Sequence, residues 1–288
     1  MASLGTPTSY WKLDEASGNA ADSVGANTLT NNNTVGYASS ATAGSLNNCA
    51  DFGTANANKS LSIASDLGWT GGAISVSMWI KVRTEITSGL YRIMNLCDSG
   101  NHVELIFDYN YNGGTKRLEF NRSKILVADQ RVTTNVSLGI LLWHHLVITY
   151  DNTNVRGYLN GTLVGTQAAS GNGNNNAETD TFVIGMNKDL VNNPSSIYAD
   201  EVCVKVGAAW DATEVAYLYN GGTPLPYPFS IPYSKSETIT ATETLTKDRQ
   251  IAKTIAETIT MSDEFAKRSE WTRRAKNTSG VWTKRSKT

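Results

Sequence analysis

The chain has 288 residues, 40% of them hydrophobic and 18% charged, with 24 glycines and a formal net charge of −1. No run approaches eighteen consecutive apolar residues, which excludes a membrane-spanning helix, and residues 1–6 have neither the basic start nor the apolar centre of a secretory signal. Cys49, Cys97 and Cys203 are too few for a disulfide framework and lack metal-binding CxxC spacing, so they read as small buried residues of a chain kept in a reducing compartment.

In chain order, the first 220 or so residues read as short strands separated by Gly, Asn and Ser turns. Strands are expected at 60–63, 74–82, 92–97, 103–109 and 117–121. Within 74–82 an apolar residue stands at every even position, with Ser75, Ser77, Trp79 and Lys81 on the other face. His144–Tyr150 alternates in the same way, and Asp151–Asn154 turns the chain into Val155–Leu159. Asn160-Gly161 then opens a hairpin into Thr162–Gly165. Strands follow at 182–185 and 197–205, and so many in succession argue for a sandwich or barrel. One helix is expected over Ala212–Tyr219, capped by Asp211 with Glu214 in capping-box spacing and ended by Gly221-Gly222 and Pro224.

Beyond Pro228 the character changes. Residues 1–228 carry 13 Lys and Arg against 19 Asp and Glu, whereas 229–288 carry 12 against 7, so an acidic body precedes a basic end. The stretch from Ser236 realigns on itself after a shift of twenty, Ile239 on Ile259 and Lys247 on Lys267. Trp271-Thr-Arg-Arg is echoed by Trp282-Thr-Lys-Arg. Two repeat copies cannot support a solenoid, so 229–288 is expected to be extended or weakly helical and to take its order from a partner.

Tyr10–Gly25, Asp51-Phe-Gly53, Ile74–Val82, Trp143–Asp151 with Tyr158–Gly161, and Tyr198–Val204 ahead of the helix together resemble laminin G-like, concanavalin A-like lectin and glucanase domains. The resemblance spans about residues 9–222. It implies an all-β, concanavalin A-like jelly-roll sandwich of two antiparallel sheets with one short helix, followed here by an extended C-terminal tail. It also implies one structural Ca²⁺ as the only cofactor to consider. Asp22 and Asp200 match positions where its ligands occur; the alternative is that Asp22 caps a turn and Asp200 accepts backbone hydrogen bonds.

The glucanases of this fold use a Glu-x-Asp-x-x-Glu strand motif, and this chain has none. Glu104 and Asp108 share a strand face but stand roughly 13 Å apart at Cα, beyond the separation that glycoside hydrolysis needs. No nucleophile elbow, P-loop or HExxH motif occurs, and His144 and His145 begin a core strand, where a hydrogen-bonded structural role is expected. A catalytic site is therefore not expected. Sugar recognition wants aromatic faces beside amides: Tyr109, Asn110, Tyr111 and Asn112 in a turn-prone stretch supply these, with Trp69 before Gly71-Gly72 as a second exposed candidate. In the tail, Trp271, Arg273, Arg274, Trp282 and Arg285 read as anchors for a protein partner, in preference to a nucleic acid.

Relatives of this type act mostly outside cells, whereas this chain lacks an export signal and disulfides. A virion protein assembled in the host cytoplasm reconciles the two, and the tail repeats resemble those of bacteriophage structural proteins. The expectation is a homo-oligomeric, non-enzymatic capsid or tail decoration or fibre. Its body, 1–228, would display a jelly roll toward a cell-surface glycan, and 229–288 would join it to other virion proteins. The alternatives are a bacterial surface or extracellular lectin and, less favoured, a polysaccharide-degrading enzyme.

Overall fold

Alternating apolar and polar residues give each strand one face for a core and one for something else, and two stacked sheets are the outcome. The structure is a computed structural model. It describes residues 4–39, 48–54, 57–97, 103–124, 127–169, 181–187, 189–190, 192–229, 275–276 and 282–283, with the main chain only at 39, 103–104, 123–124, 127–129 and the last four. The chain divides into two units, Met1–Tyr233 and Ser234–Thr288.

In the first unit the strands are β1 (Ser9–Trp11), β2 (Thr30–Asn32), β3 (Gly36–Ser39), β4 (Asn48–Asp51), β5 (Ser60–Ile63), β6 (Ile74–Val82), β7 (Gly89–Cys97) and β8 (Val103–Asn112). They continue as β9 (Thr115–Lys124), β10 (Val127–Asn135), β11 (Trp143–Tyr150), β12 (Asn154–Leu159), β13 (Thr162–Ala168), β14 (Thr181–Ile184) and β15 (Ile197–Val206), followed by α1 (Ala212–Tyr219). An eight-stranded sheet has the order β13-β12-β11-β6-β15-β4-β3 with β1 beside β15, and a seven-stranded sheet the order β10-β9-β8-β7-β14-β5-β2. This is the antiparallel jelly-roll sandwich expected from the sequence.

Between the sheets lies one apolar cluster. The even positions of β6, with Leu146 and Ile148, join Phe107, Leu118, Phe120, Phe182 and Ile184 in it. Phe120 meets Phe107 edge-on at 5.5 Å, and Gly157 is the residue opposite Phe120 because any Cβ there would overlap the ring. The odd positions of β6 point the other way. Lys81, 7% exposed, keeps its ammonium 4.8 Å over Trp143 and 4.7 Å over Tyr198, which compensates its burial.

A second apolar cluster (Tyr10, Val147, Tyr158, Cys203, Trp210, Val215 and Leu218) covers part of this outward face. α1 lies over it, and the capping box between Asp211 and Glu214 starts the helix. Asn220, left-handed at φ 47°, ends it one residue before the glycine pair expected to do so. The following segment, Pro224–Phe229, is a strap: Tyr227 and Phe229 set their rings 5.5 and 5.8 Å from Tyr10.

All three cysteines are buried, and none forms a disulfide among the described residues. Among the described residues no helix is long and apolar enough to cross a membrane, which says nothing of β-barrels. In the second unit Ala275–Lys276 pairs antiparallel with Trp282–Thr283.

Candidate functional site

Gly113 and Gly114, both with positive φ, form a two-residue turn between β8 and β9 and thereby set the register. Three polar rows result on the face turned away from the core. Leu90, Asn110, Arg117 and Asn135 are successive cross-strand partners. So are Arg92, Asp108, Glu119 and Thr133, and so are Asn95, Ile106, Asn121 and Arg131.

Within these rows the charges are paired. Arg92 donates from Nε to Asp108 at 2.7 Å, and Arg131 donates to Glu119 at 2.8 Å. The Asn110 amide donates to the same Glu119 at 3.0 Å. Burial raises the Asp108 carboxyl to about 6, Arg92 opposes this and the neighbouring Glu119 adds to it. Arg117 differs: it is half-buried, and among the described residues no ion pair holds it and its Nε has no partner, nor do the buried Asn110 Oδ1 and Asn121 Oδ1. The middle of the face is closed, with Asn95 and Ile106 buried, whereas Asn112, Thr133 and Asn135 at the β8–β10 end are exposed. The accessible surface is therefore a strip of amides, guanidinium groups and hydroxyls above a buried carboxylate pair.

The turn-prone stretch 108–114, expected to follow a strand ending at Tyr109, is strand as far as Asn112, so alternation separates its members. Asn110 and Asn112 point outward. Tyr111 packs partly against the core, and Tyr109 is fully buried, its hydroxyl accepting the Leu138 N–H at 3.1 Å. Trp69 is fully buried as well, donating from Nε1 to Gly72 O at 2.7 Å. The expectation of exposed sugar-binding rings at Tyr109 and Trp69 is thus corrected: both are core residues.

The side chain of Glu104 lies outside the described residues, and the carboxylate that stands beside Asp108 is Glu119 on the neighbouring strand. Directly opposed residues have Cβ atoms about 4.5–5.5 Å apart, much closer than the pair considered along one strand. Trp271, Arg273, Arg274 and Arg285 lie outside the described residues, as does the side chain of Trp282.

Asp22 and Asp200 serve separate surroundings. Asp22 accepts the N–H groups of Tyr10 and Val24 on Oδ1, both at 3.0 Å, and that of Asn27 on Oδ2 at 3.2 Å, which makes it a turn cap. Asp200 is fully buried; Oδ1 accepts the Glu201 N–H at 3.0 Å and Oδ2 has no partner. Burial first, then the proximity of Asp14, pushes its carboxyl up to about 9. The two aspartates therefore differ: the Asp22 oxygens are taken up by backbone N–H groups, whereas Asp200 keeps one oxygen unpaired near Asp14. Among the described residues no three His, Cys, Asp or Glu side chains converge to hold a metal ion.

With the sheets and this face in view, the comparisons with known proteins are informative. A laminin G-type family described as the concanavalin A-like lectin/glucanases superfamily matches residues 54–204. The chain belongs to this superfamily. No curated protein matches the sequence.

Among solved structures, domain 4 of a GH43 extracellular arabinanase from Geobacillus stearothermophilus, in complex with arabinotriose, superposes with a TM-score of 0.55 at 17% identity. That match covers 74% of this chain and 98% of the domain. The binding domain of botulinum neurotoxin DC, in complex with SialylT, gives 0.54 at 14%, covering 72% of this chain and 51% of that one. A Trypanosoma rangeli sialidase gives 0.53 at 11%, covering 73% and 32%. This chain spans about half the length of the toxin binding domains it matches. These likenesses establish the jelly-roll fold.

Proposed function

We propose that the jelly roll is a carbohydrate-recognition module whose binding surface is the β8–β10 end of the seven-stranded sheet, centred on Asn110, Arg117 and Arg131. The observation that carries this reading is the strip itself, in which the half-buried Asn110, Arg117 and Arg131 border the exposed Asn112, Thr133 and Asn135, with no ion pair on Arg117 among the described residues. Hydroxyl-rich ligands need such groups, and Arg117 favours a sugar that carries a carboxylate. Several structural neighbours bear on the same point, since the arabinanase domain and the toxin domain are described with bound sugars.

The module binds and does not turn over its ligand: Asp108 and Glu119 are 6% and 4% exposed, and each is engaged by an arginine. A glycan array probed with the full chain tests the reading, run beside a polysaccharide-hydrolysis assay. Binding to a defined glycan set without hydrolysis is expected. An empty array contradicts the module, and hydrolysis lost on Glu119→Gln contradicts the non-enzymatic part.

A second reading concerns deployment. The break in charge and the repeats after Pro228 favour display of the module on a virus particle through residues 229–288. Deleting residues 234–288, the second unit, should leave the body folded and abolish incorporation into particles. In the same body Asp200 would hold one Ca²⁺, with main-chain carbonyls supplying most of the six to eight oxygens such an ion takes. Calcium should then raise the melting temperature of the wild type and leave Asp200→Asn unaffected.

A further inference from the structure

The outward face of the eight-stranded sheet holds a second polar group, separate from the proposed binding strip. β15 slips its register against β6 between Asp200 and Cys203, and Glu201 adopts φ 47°, a left-handed conformation that few residues with side chains take. A bulge re-aims a side chain that plain alternation would send elsewhere. Here Glu201 lines a small cavity with Tyr10, Ser77 and His145, and Leu218 of α1 with Leu225 and Phe229 of the strap line its other side.

Tyr10, His145 and Glu201 are 1%, 1% and 4% exposed. Ser77 Oγ and His145 Nε2 are hydrogen-bonded at 2.8 Å, whereas Tyr10 Oη, His145 Nδ1 and Glu201 Oε2 have no partner. Folded proteins pair nearly all of their buried polar atoms. Three orphans around one cavity therefore call for a ligand that is not a side chain.

The ligand must be small, since the cavity has room for one water-sized molecule. Its own donors and acceptors must match Tyr10 Oη, His145 Nδ1 and Glu201 Oε2.

We propose that this cavity is an internal hydration site holding one water bonded to Tyr10 Oη, His145 Nδ1 and Glu201 Oε2. The hydrogens balance. When the Ser77 hydroxyl donates to His145 Nε2, the Nδ1–H of His145 and the Tyr10 hydroxyl donate to the water, and the water donates to Glu201. The water completes the floor on which α1 and the strap rest, and the strained bulge at Glu201 is what brings the third partner to it.

A high-resolution crystal structure of the full chain tests this directly. One ordered water within hydrogen-bond distance of the three atoms is expected. A dry cavity, or direct pairing of two of the three side chains, would overturn the proposal. Counting long-lived internal waters by ¹⁷O relaxation dispersion gives a second readout that tolerates mild destabilisation. The count should fall by one in Glu201→Leu and stay at the wild-type value in Glu201→Gln, which keeps an acceptor. An unchanged count in Glu201→Leu would equally sink the idea.

Discussion

The two outward faces of the sandwich arise from the same alternation and have opposite characters. On the seven-stranded sheet the outward face of β7–β10 is polar, with Arg92–Asp108 and Arg131–Glu119 ion-paired, and one end of the face is open. On the eight-stranded sheet the outward residues Tyr10, Val147, Tyr158 and Cys203 form an apolar patch under α1 and the strap, while Lys81 lies against Trp143 and Tyr198. A charged surface that must meet a ligand is kept soluble and rigid by its own ion pairs, whereas a surface that must accept a cover is apolar where the cover rests.

The sharpest way to break this contrast is to unbalance the charged face. Arg92→Ala leaves the Asp108 carboxylate buried without its partner, and removal of one member of such a pair costs about 3–5 kcal/mol. Thermal or urea denaturation should show that loss, and Asp108→Asn added to Arg92→Ala should restore most of it. An Arg92→Ala protein as stable as the wild type would mean that the ladder does not hold the face together.

On the covered face, Phe229→Ala removes a half-buried ring that packs on Tyr10. A loss of about 2 kcal/mol is expected, below the range of about 3–5 for a fully buried phenylalanine. No change in melting temperature would show that the strap does not cover the sheet.

The faces should also separate by pH. A carboxyl whose pKa is higher in the folded than in the unfolded chain lowers stability as pH rises between the two values. Asp108, raised to about 6, completes its contribution near that pH, while Glu201 and Asp200, raised to about 8 and about 9, continue to higher pH. Stability should therefore decline from pH 5 through pH 8. Glu201→Gln should flatten the part of the decline above pH 6, and a slope unchanged by that substitution would contradict the burial of a neutral Glu201. A smaller effect, about 1 kcal/mol, is expected for Asp211→Ala, which removes the cap of α1.

The fold was legible because its signals are local. The even positions of β6, Asn160-Gly161 and the Asp211 cap each act over a few residues, and all stand where the sequence places them. The polar face was not. Asn112-Gly-Gly-Thr115 is a hairpin turn, and once Asn112 faces Thr115 the same register sets Asp108 opposite Glu119. Reading the preceding residues as turn-prone concealed that pairing, and it left the tyrosines seemingly available when alternation turns Tyr109 and Tyr111 inward. β10 escaped notice because Gln130-Arg-Val-Thr-Thr-Asn135 is polar on both faces of an edge strand. Nothing in Tyr10, His145 or Glu201 signals their convergence, since three distant segments and a bulge bring them together. Trp69 illustrates the converse: a tryptophan beside glycines looks exposed until its indole N–H is seen to close its own turn.

The most direct test of the binding face is a backbone amide chemical-shift titration of the full chain with a carboxylate-bearing oligosaccharide, repeated with Arg117→Ala. The account predicts shifts confined to β8–β10, above all at Asn110, Arg117, Asn121 and Arg131. Arg117→Ala should weaken binding at least tenfold and alter stability by no more than about 0.5 kcal/mol. Shifts centred on α1 and the strap, or binding untouched by Arg117→Ala, would contradict it.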